Sequence, residues 1–437
     1  MKAFKALIIL ATALSALPVL AENGMNSPYT RYGFGQLSPM EVGVNKGMGG
    51  TGIGLQNVSQ INMLNPASYA AVDTLTFLLD VGMSLHNTNL TEGDVRMNAR
   101  NTTFDYLAMQ FRLMPKLGMT IGMVPFSNIG YNFSNSTIID NYPDAGTGED
   151  IKGEEGEEIT AHNRYYGDGG LRQITVGVGW SPFKGLSVGA NLAYLYGEIY
   201  HFVYNQYSDP SITPRTKQYI ADISTYKADF GLQYLKAFGK HRVTLGATYQ
   251  LGHAIDDEAY IIDMISTGGT VTSSDTTRAA KFSIPTGFGV GLSYTFDDRL
   301  TIAADYSMQQ YSTADFFSTP KAAYKGADYH RASIGLEYIP ERITRKLLRR
   351  TRYRAGFYYA TPHYYVGEHR GPTEYGATIG IGLPIMNGWN AKSLVNISGQ
   401  AVHVRPAPGT GMITENYLRL SIGLSFDEGW FDKWRVQ

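Results

Sequence analysis

The sequence predicts an all-β fold, a transmembrane antiparallel barrel of about fourteen strands whose N-terminal segment fills the lumen. Three observations lead there: a secretory leader, apolar residues at every second position, and connections that alternate between short and long. In the leader, Lys2 and Lys5 precede the apolar run 6–19, and Val19 and Ala21 place small residues where a signal peptidase reads. Residues 1–21 are therefore expected to be a signal peptide, with the mature chain starting near Glu22. No other stretch approaches the roughly twenty apolar residues that a membrane helix needs. The chain has no cysteine, which excludes disulfides, thiolate metal sites and a lipid-modified N-terminal cysteine. With 37 basic against 38 acidic residues there is no nucleic-acid footprint. The 49 glycines, 31 tyrosines and mean hydropathy of −0.19 suit a wall that is apolar outside and polar or small inside.

The alternation is explicit. From 75 to 85 the odd positions are Leu75, Phe77, Leu79, Val81, Met83 and Leu85. From 282 to 296 the even positions are Phe282, Ile284, Thr286, Phe288, Val290, Leu292, Tyr294 and Phe296. A barrel strand turns alternate side chains to lipid and to the lumen, so each run reads as one lipid-facing row. Strands are expected at 74–87, 102–113, 117–131, 170–181, 186–204, 217–238, 241–265, 278–296, 299–314, 327–339, 352–368, 372–385, 392–404 and 413–427. Fourteen is an even number, as a closed barrel requires. Short connections such as Met114-Pro115-Lys116 and Asp297-Asp298-Arg299 alternate with longer polar loops. Short turns belong to the periplasmic side in this class, so both chain ends are expected there.

Two stretches lack the alternation. Residues 22–73 precede the first strand and carry Gly47, Gly49 and Gly50 and then Asn65-Pro66-Ala67; they are expected to form the plug of a barrel spanning 74–437. Residues 134–170 form a long loop rich in acid (Asp140, Asp144, Glu149, Asp150, Glu154, Glu155, Glu157, Glu158), expected to be extracellular and suited to a protein contact rather than to a greasy ligand.

Several motifs resemble chemistry without its context. Gly47-x-Gly49-x-x-Gly52 spells a dinucleotide fingerprint, but no strand precedes it and no helix follows. Gly185-Leu186-Ser187-Val188-Gly189 spells a nucleophile elbow, yet it leads into an alternating strand with no histidine placed to serve Ser187. The nine histidines show no zinc-ligand spacing. No enzyme, cofactor or metal is expected.

The glycine-rich stretch followed by Asn65-Pro66-Ala67-Ser68-Tyr69 resembles the Asn-Pro-Ala segment of the FadL-type outer-membrane transporters of hydrophobic compounds. Later pieces agree in order: Ile284-Pro285, Gly291-Leu292-Ser293-Tyr294, Leu300 to Tyr306, Ile334 to Tyr338 and Tyr353 to Tyr359. The opening Ser27 to Gly33 and the closing Glu415-Asn416-Tyr417 with Trp430-Phe431 look like a divergent branch. The resemblance implies fourteen strands, an N-terminal hatch and a lateral opening at a kinked third strand, where Val124-Pro125-Phe126 loses the alternation and proline cannot donate to the ladder. It also implies passage of a small hydrophobic compound. The polar, acidic loops favour the alternative, a non-transporting subunit of an outer-membrane assembly or secretion complex with protein partners.

Alternation further assigns Asp80, Arg112, Asp229, Asp305, Arg331, Glu337, Arg354, Glu374 and Arg419 to the lumen. Both signs occur, so a paired network gripping the plug is expected rather than a single-sign pore. The turn 341–352 carries Arg342, Arg345, Lys346, Arg349, Arg350 and Arg352 beside Leu347 and Leu348. It is expected to meet membrane lipid headgroups or an acidic partner.

Overall fold

The computed structural model describes residues 26–429, apart from 75, 140, 144–149, 153–158, 210–211, 258, 268–269, 279–281, 317–324 and 386–392. The leader lies outside the described residues, as do 140, 144–149 and 153–158 of the acidic loop; 134–139 and 159–170, expected as loop, instead continue the two flanking strands, and Asn141–Pro143 pairs with Asp150–Lys152 as a short hairpin.

Fourteen antiparallel strands form one closed sheet. They are β1 (Thr76–Glu92), β2 (Val95–Met114), β3 (Leu117–Pro125 and Ser127–Ile139), β4 (Ile159–Phe183), β5 (Leu186–Tyr207) and β6 (Arg215–Phe238). Next come β7 (His241–Gln250 and Ala259–Thr267), β8 (Thr270–Arg278 and Gly287–Phe296), β9 (Leu300–Gln309) and β10 (Tyr329–Tyr338). The last are β11 (Arg352–Ala360), β12 (Thr373–Pro384), β13 (Leu394–Arg405) and β14 (Thr414–Gly429). Each pairs with the next, and β14 returns to β1 from Thr76↔Gly429 to Thr91↔Thr414, which closes the sheet into a barrel.

Tight turns set one end of the barrel. Asp297 and Asp298 both have positive φ (53° and 51°), which lets the three-residue connection Asp297-Asp298-Arg299 turn tightly between the paired Phe296 and Leu300. On the outer wall Trp180, Tyr234, Phe296, Tyr338 and Tyr353 ring the short-turn end. Tyr194, Tyr226, Tyr249, Phe288, Tyr306 and Tyr375 form a second ring higher up, and aliphatic side chains such as Val178, Leu232, Leu292, Ile334 and Ile422 are exposed with them. These are the two aromatic girdles and the apolar band of an outer-membrane barrel.

Where the strands depart from expectation, the outer face explains it. β1 and β2 continue well past 87 and 102 to a tight turn at Gly93, because the outer row there is polar (Asn87, Asn89, Asn98). Asn98 donates to Asn87 Oδ1 at 2.7 Å and Asn89 Oδ1 at 2.8 Å, so the hairpin rises above the apolar band without alternating. β9 ends at Gln309 before a short helical turn, Tyr311–Thr313, and β11 ends at Ala360, ahead of Pro362. Phe282 and Ile284 do not continue the lipid-facing row. The break at Pro285-Thr286 turns them into a buried apolar cluster with Phe34, Phe126, Leu171, Leu195, Tyr311 and Phe316.

Candidate functional site

The segment before β1 runs along the inner wall. At the long-loop end Ser27 donates its backbone N–H to Gly130 at 3.1 Å and its hydroxyl to Glu415 at 2.5 Å. Tyr29, whose hydroxyl burial raises far above its ordinary range, donates to the Ile413 carbonyl at 2.5 Å. At the other end Asn65 caps a helical turn, Pro66–Ala71, accepting from Ala67 N–H at 3.0 Å and donating to the Leu232 carbonyl at 3.2 Å. The first described residues thus stand at the long-loop end. The chain end itself, expected on the short-turn side, lies outside the described residues.

Between these ends the segment sweeps across the strands in turn. Glu41 pairs with Arg331 at 2.7 Å, and Lys46 with Asp105 at 2.7 Å. Gly47 packs on Arg354 and Gly380, Gly49 N–H donates to Thr378 Oγ1 at 2.9 Å, and Gly50 lies beside Glu41 and Arg331. Gly52 and Ile53 both donate backbone N–H groups to Asp305 Oδ2, at 2.5 and 2.8 Å. Such charge-assisted bonds are worth about twice neutral ones.

The barrel makes room for this backbone with inward-facing glycines. Gly118, Gly179, Gly189 and Gly231 are successive cross-strand neighbours on β3 to β6; Gly246 faces Gly291 and Gly335 faces Gly356. A Cβ on Gly179 would stand 2.6 Å from the Pro66 carbonyl oxygen, and one on Gly291 2.5 Å from Gly54 N. The remaining glycines of the row meet Met48, Gly49, Ile53, Asn65, Pro66 and Tyr69 as closely. Their spacing was visible in sequence only as small residues alternating with apolar ones.

The wall has a seam. β2 pairs with β3 only from Leu107↔Met123 to Met114↔Leu117. Above Val124 and Pro125, Phe126 breaks the strand, donating N–H to the Leu171 carbonyl at 2.8 Å and accepting from Ser38 N–H at 2.9 Å. Beyond it β3 keeps β4 on one side but takes Gln36–Leu37 on the other, through Gln36↔Asn128 and Leu37↔Ser127. Among the described residues β2 makes no pairing with that upper half. A cavity of about 70 Å³ behind the seam is lined by Glu41, Lys46, His86, Asp105 and Arg419.

A model of the BamG family matches residues 3–437. The chain belongs to the BamG family. No curated protein matches it. The BamG-family barrel is similar in fold to a Pseudomonas aeruginosa FadL homologue, with TM-score 0.61 at 13% identity over 90% of this chain and 99% of that one. It is also similar to the CymD monoaromatic hydrocarbon channel (0.57, 15%, 92% and 100%) and to the Ralstonia pickettii toluene transporter TbuX (0.54, 15%, 89% and 98%). At these identities the likeness establishes the FadL-type fold and nothing finer.

The other lumenal charges of this BamG-family barrel divide among themselves. Asp80 accepts from Tyr106 at 3.1 Å and Ser425 at 2.9 Å; Asp229 pairs with Lys227 on its own strand. Glu337 holds Arg354 at 2.7 Å and Arg352 at 3.1 Å, while Arg354 also reaches Asn396 at 2.7 Å. Arg352 therefore belongs to a lumenal ion cluster and not to the basic turn. Glu374 accepts from Tyr358 and, at 2.8 Å, Tyr417, whose ring lies under Arg419. Among the described residues Arg112 joins no such cluster; its Nε donates to the Met114 carbonyl at the strand's end, 3.3 Å away. Lys227, Asp105, Glu41 and Lys46 are participants that alternation missed. Asp105 escaped because a β-bulge between Gly82 and Met83 shifts the register, so a residue of the outward parity faces in. In the turn, Arg342 pairs with Asp298 at 2.9 Å and Arg349 with Glu341 at 2.6 Å. Above the lumen, burial lowers His363 to about 3, so it packs as a neutral ring against Tyr311 and Tyr364.

Proposed function

We propose that this BamG-family barrel is a non-transporting subunit of an outer-membrane protein-assembly complex, with its short turns in the periplasm. The observation that carries the reading is the set of bonds that fasten the segment before β1 to the inner wall. Residues 26–73 are tied to the wall by two partly buried ion pairs and by the paired amides on Asp305. The cavity left beside them is about 180 Å³, with Leu37, Met40, Phe126 and Met308 lining it alongside Lys227, Asp229, Asp305 and Arg331; it is smaller than the roughly 300–1,000 Å³ of an ordinary ligand pocket. Family membership supports the same reading.

The unpaired seam favours a second reading, lateral passage of a small hydrophobic compound at Val124 to Phe126. Purification of the tagged native protein in mild detergent separates the two. An assembly subunit should emerge with partners in fixed stoichiometry, and the purified barrel in liposomes should pass solutes no faster than empty vesicles. Removing residues 22–60 should then raise that permeability strongly. A lone barrel that carries toluene across vesicles as isolated would establish transport instead.

A further inference from the structure

The turn between β10 and β11 is a built structure. Ile339 N–H donates to the Arg299 carbonyl and Glu341 N–H to the Arg349 carbonyl, both at 2.8 Å; Thr351 closes the loop on the Leu347 carbonyl at 3.0 Å. This fixed loop nevertheless holds large apolar side chains out: Ile343 is 98% exposed, Leu348 71% and Leu347 48%. Internal ion pairs use Arg342 and Arg349, but no carboxylate among the described residues pairs with Arg345, Lys346 or Arg350. Its position is set by Tyr353, a member of the lower aromatic girdle, whose hydroxyl donates to the Leu348 carbonyl at 3.0 Å. The exposed leucines thus stand beside Tyr353, at the level where tyrosine rings meet headgroups.

We infer that residues 341–351 form a membrane foot that binds anionic phospholipid in the leaflet at the short-turn end. Ile343, Leu347 and Leu348 seat among the upper acyl carbons, while Arg345, Lys346 and Arg350 hold phosphates. Apolar side chains flanked by cations are what an interfacial segment requires. A purely electrostatic contact with an acidic protein would leave the exposed apolar trio without a role.

The chain lacks cysteine, so Leu348→Cys in the full-length protein gives a single site for an environment-sensitive fluorophore. In vesicles containing phosphatidylglycerol at low salt, the label should shift to the blue and resist an aqueous quencher; in phosphatidylcholine alone it should do so much less. Each cation near an anionic surface contributes roughly a fivefold preference, so R345E/K346E/R350E should reduce retention of anionic lipid, read by native mass spectrometry, on the order of a hundredfold. R345K/R350K should preserve it. Unchanged heat-modifiable mobility shows that each variant still folds. A label equally quenched in both vesicle types overturns the proposal, as does a label shielded only in the complex isolated from native membranes.

Discussion

Replacing Gly49 by valine should expel the N-terminal segment while leaving the barrel closed. Gly49 adopts φ +68°, a region that β-branched residues avoid, and a Cβ there would stand 2.9 Å from the Ile334 carbonyl and from both Phe357 N and O. All three neighbours are strand backbone, which cannot rotate away as a side chain could. The cost should reach the upper end of the ~1–3 kcal/mol typical of overpacking, before any backbone strain is added. None of it falls on the β10·β11 ladder if the segment simply leaves. Limited proteolysis should then cut between residues 26 and 70 at least a hundred times faster than in the parent, on the scale of ~1.4 kcal/mol per tenfold. Migration of the unheated protein on gels should stay that of a folded barrel. Parent-like protection would mean that the contact yields without releasing the segment.

Asp305→Ala should have the next largest effect. It removes the acceptor of two buried backbone N–H groups at once, and each such orphan costs about 1–3 kcal/mol. Amide hydrogen exchange around Gly52 to Gly54 should accelerate about a hundredfold, with strands β9 and β10 little changed. Asp305→Asn, which keeps an acceptor oxygen, should recover much of that protection. Equal exchange in the alanine variant and the parent would show that the glycine track alone holds the segment.

The barrel was legible because its strands are built against a uniform outer solvent. Leu85, Phe288 and Leu292 face lipid whatever their neighbours do, so period two survives in the sequence. It fails where the outer medium changes, as at Asn87 and Asn98, and where a bulge shifts the register, as before Asp105. Phe282 and Ile284 illustrate the opposite failure: their pattern is that of a lipid row, but a break at Pro285 hands them to an internal cluster. The candidate site was less legible. Asp305 and Arg331 could be placed in the lumen by parity, whereas their partners Gly52, Ile53 and Glu41 lie in a segment with no period to read. The glycine track has the same character, since each glycine is explained only by backbone far away in the chain.

That distance also governs how the molecule can assemble. The bond between Ser27 and Glu415 joins residues 388 positions apart, linking the earliest described part of the chain to its final strand. Contacts of such sequence separation reward the chain only after nearly everything between them is ordered, which makes folding slow. The upper attachment of the N-terminal segment cannot form until β14 is in place. An assembling barrel therefore has both an open sheet and a loose leading segment until its last strand docks, and that one strand completes both.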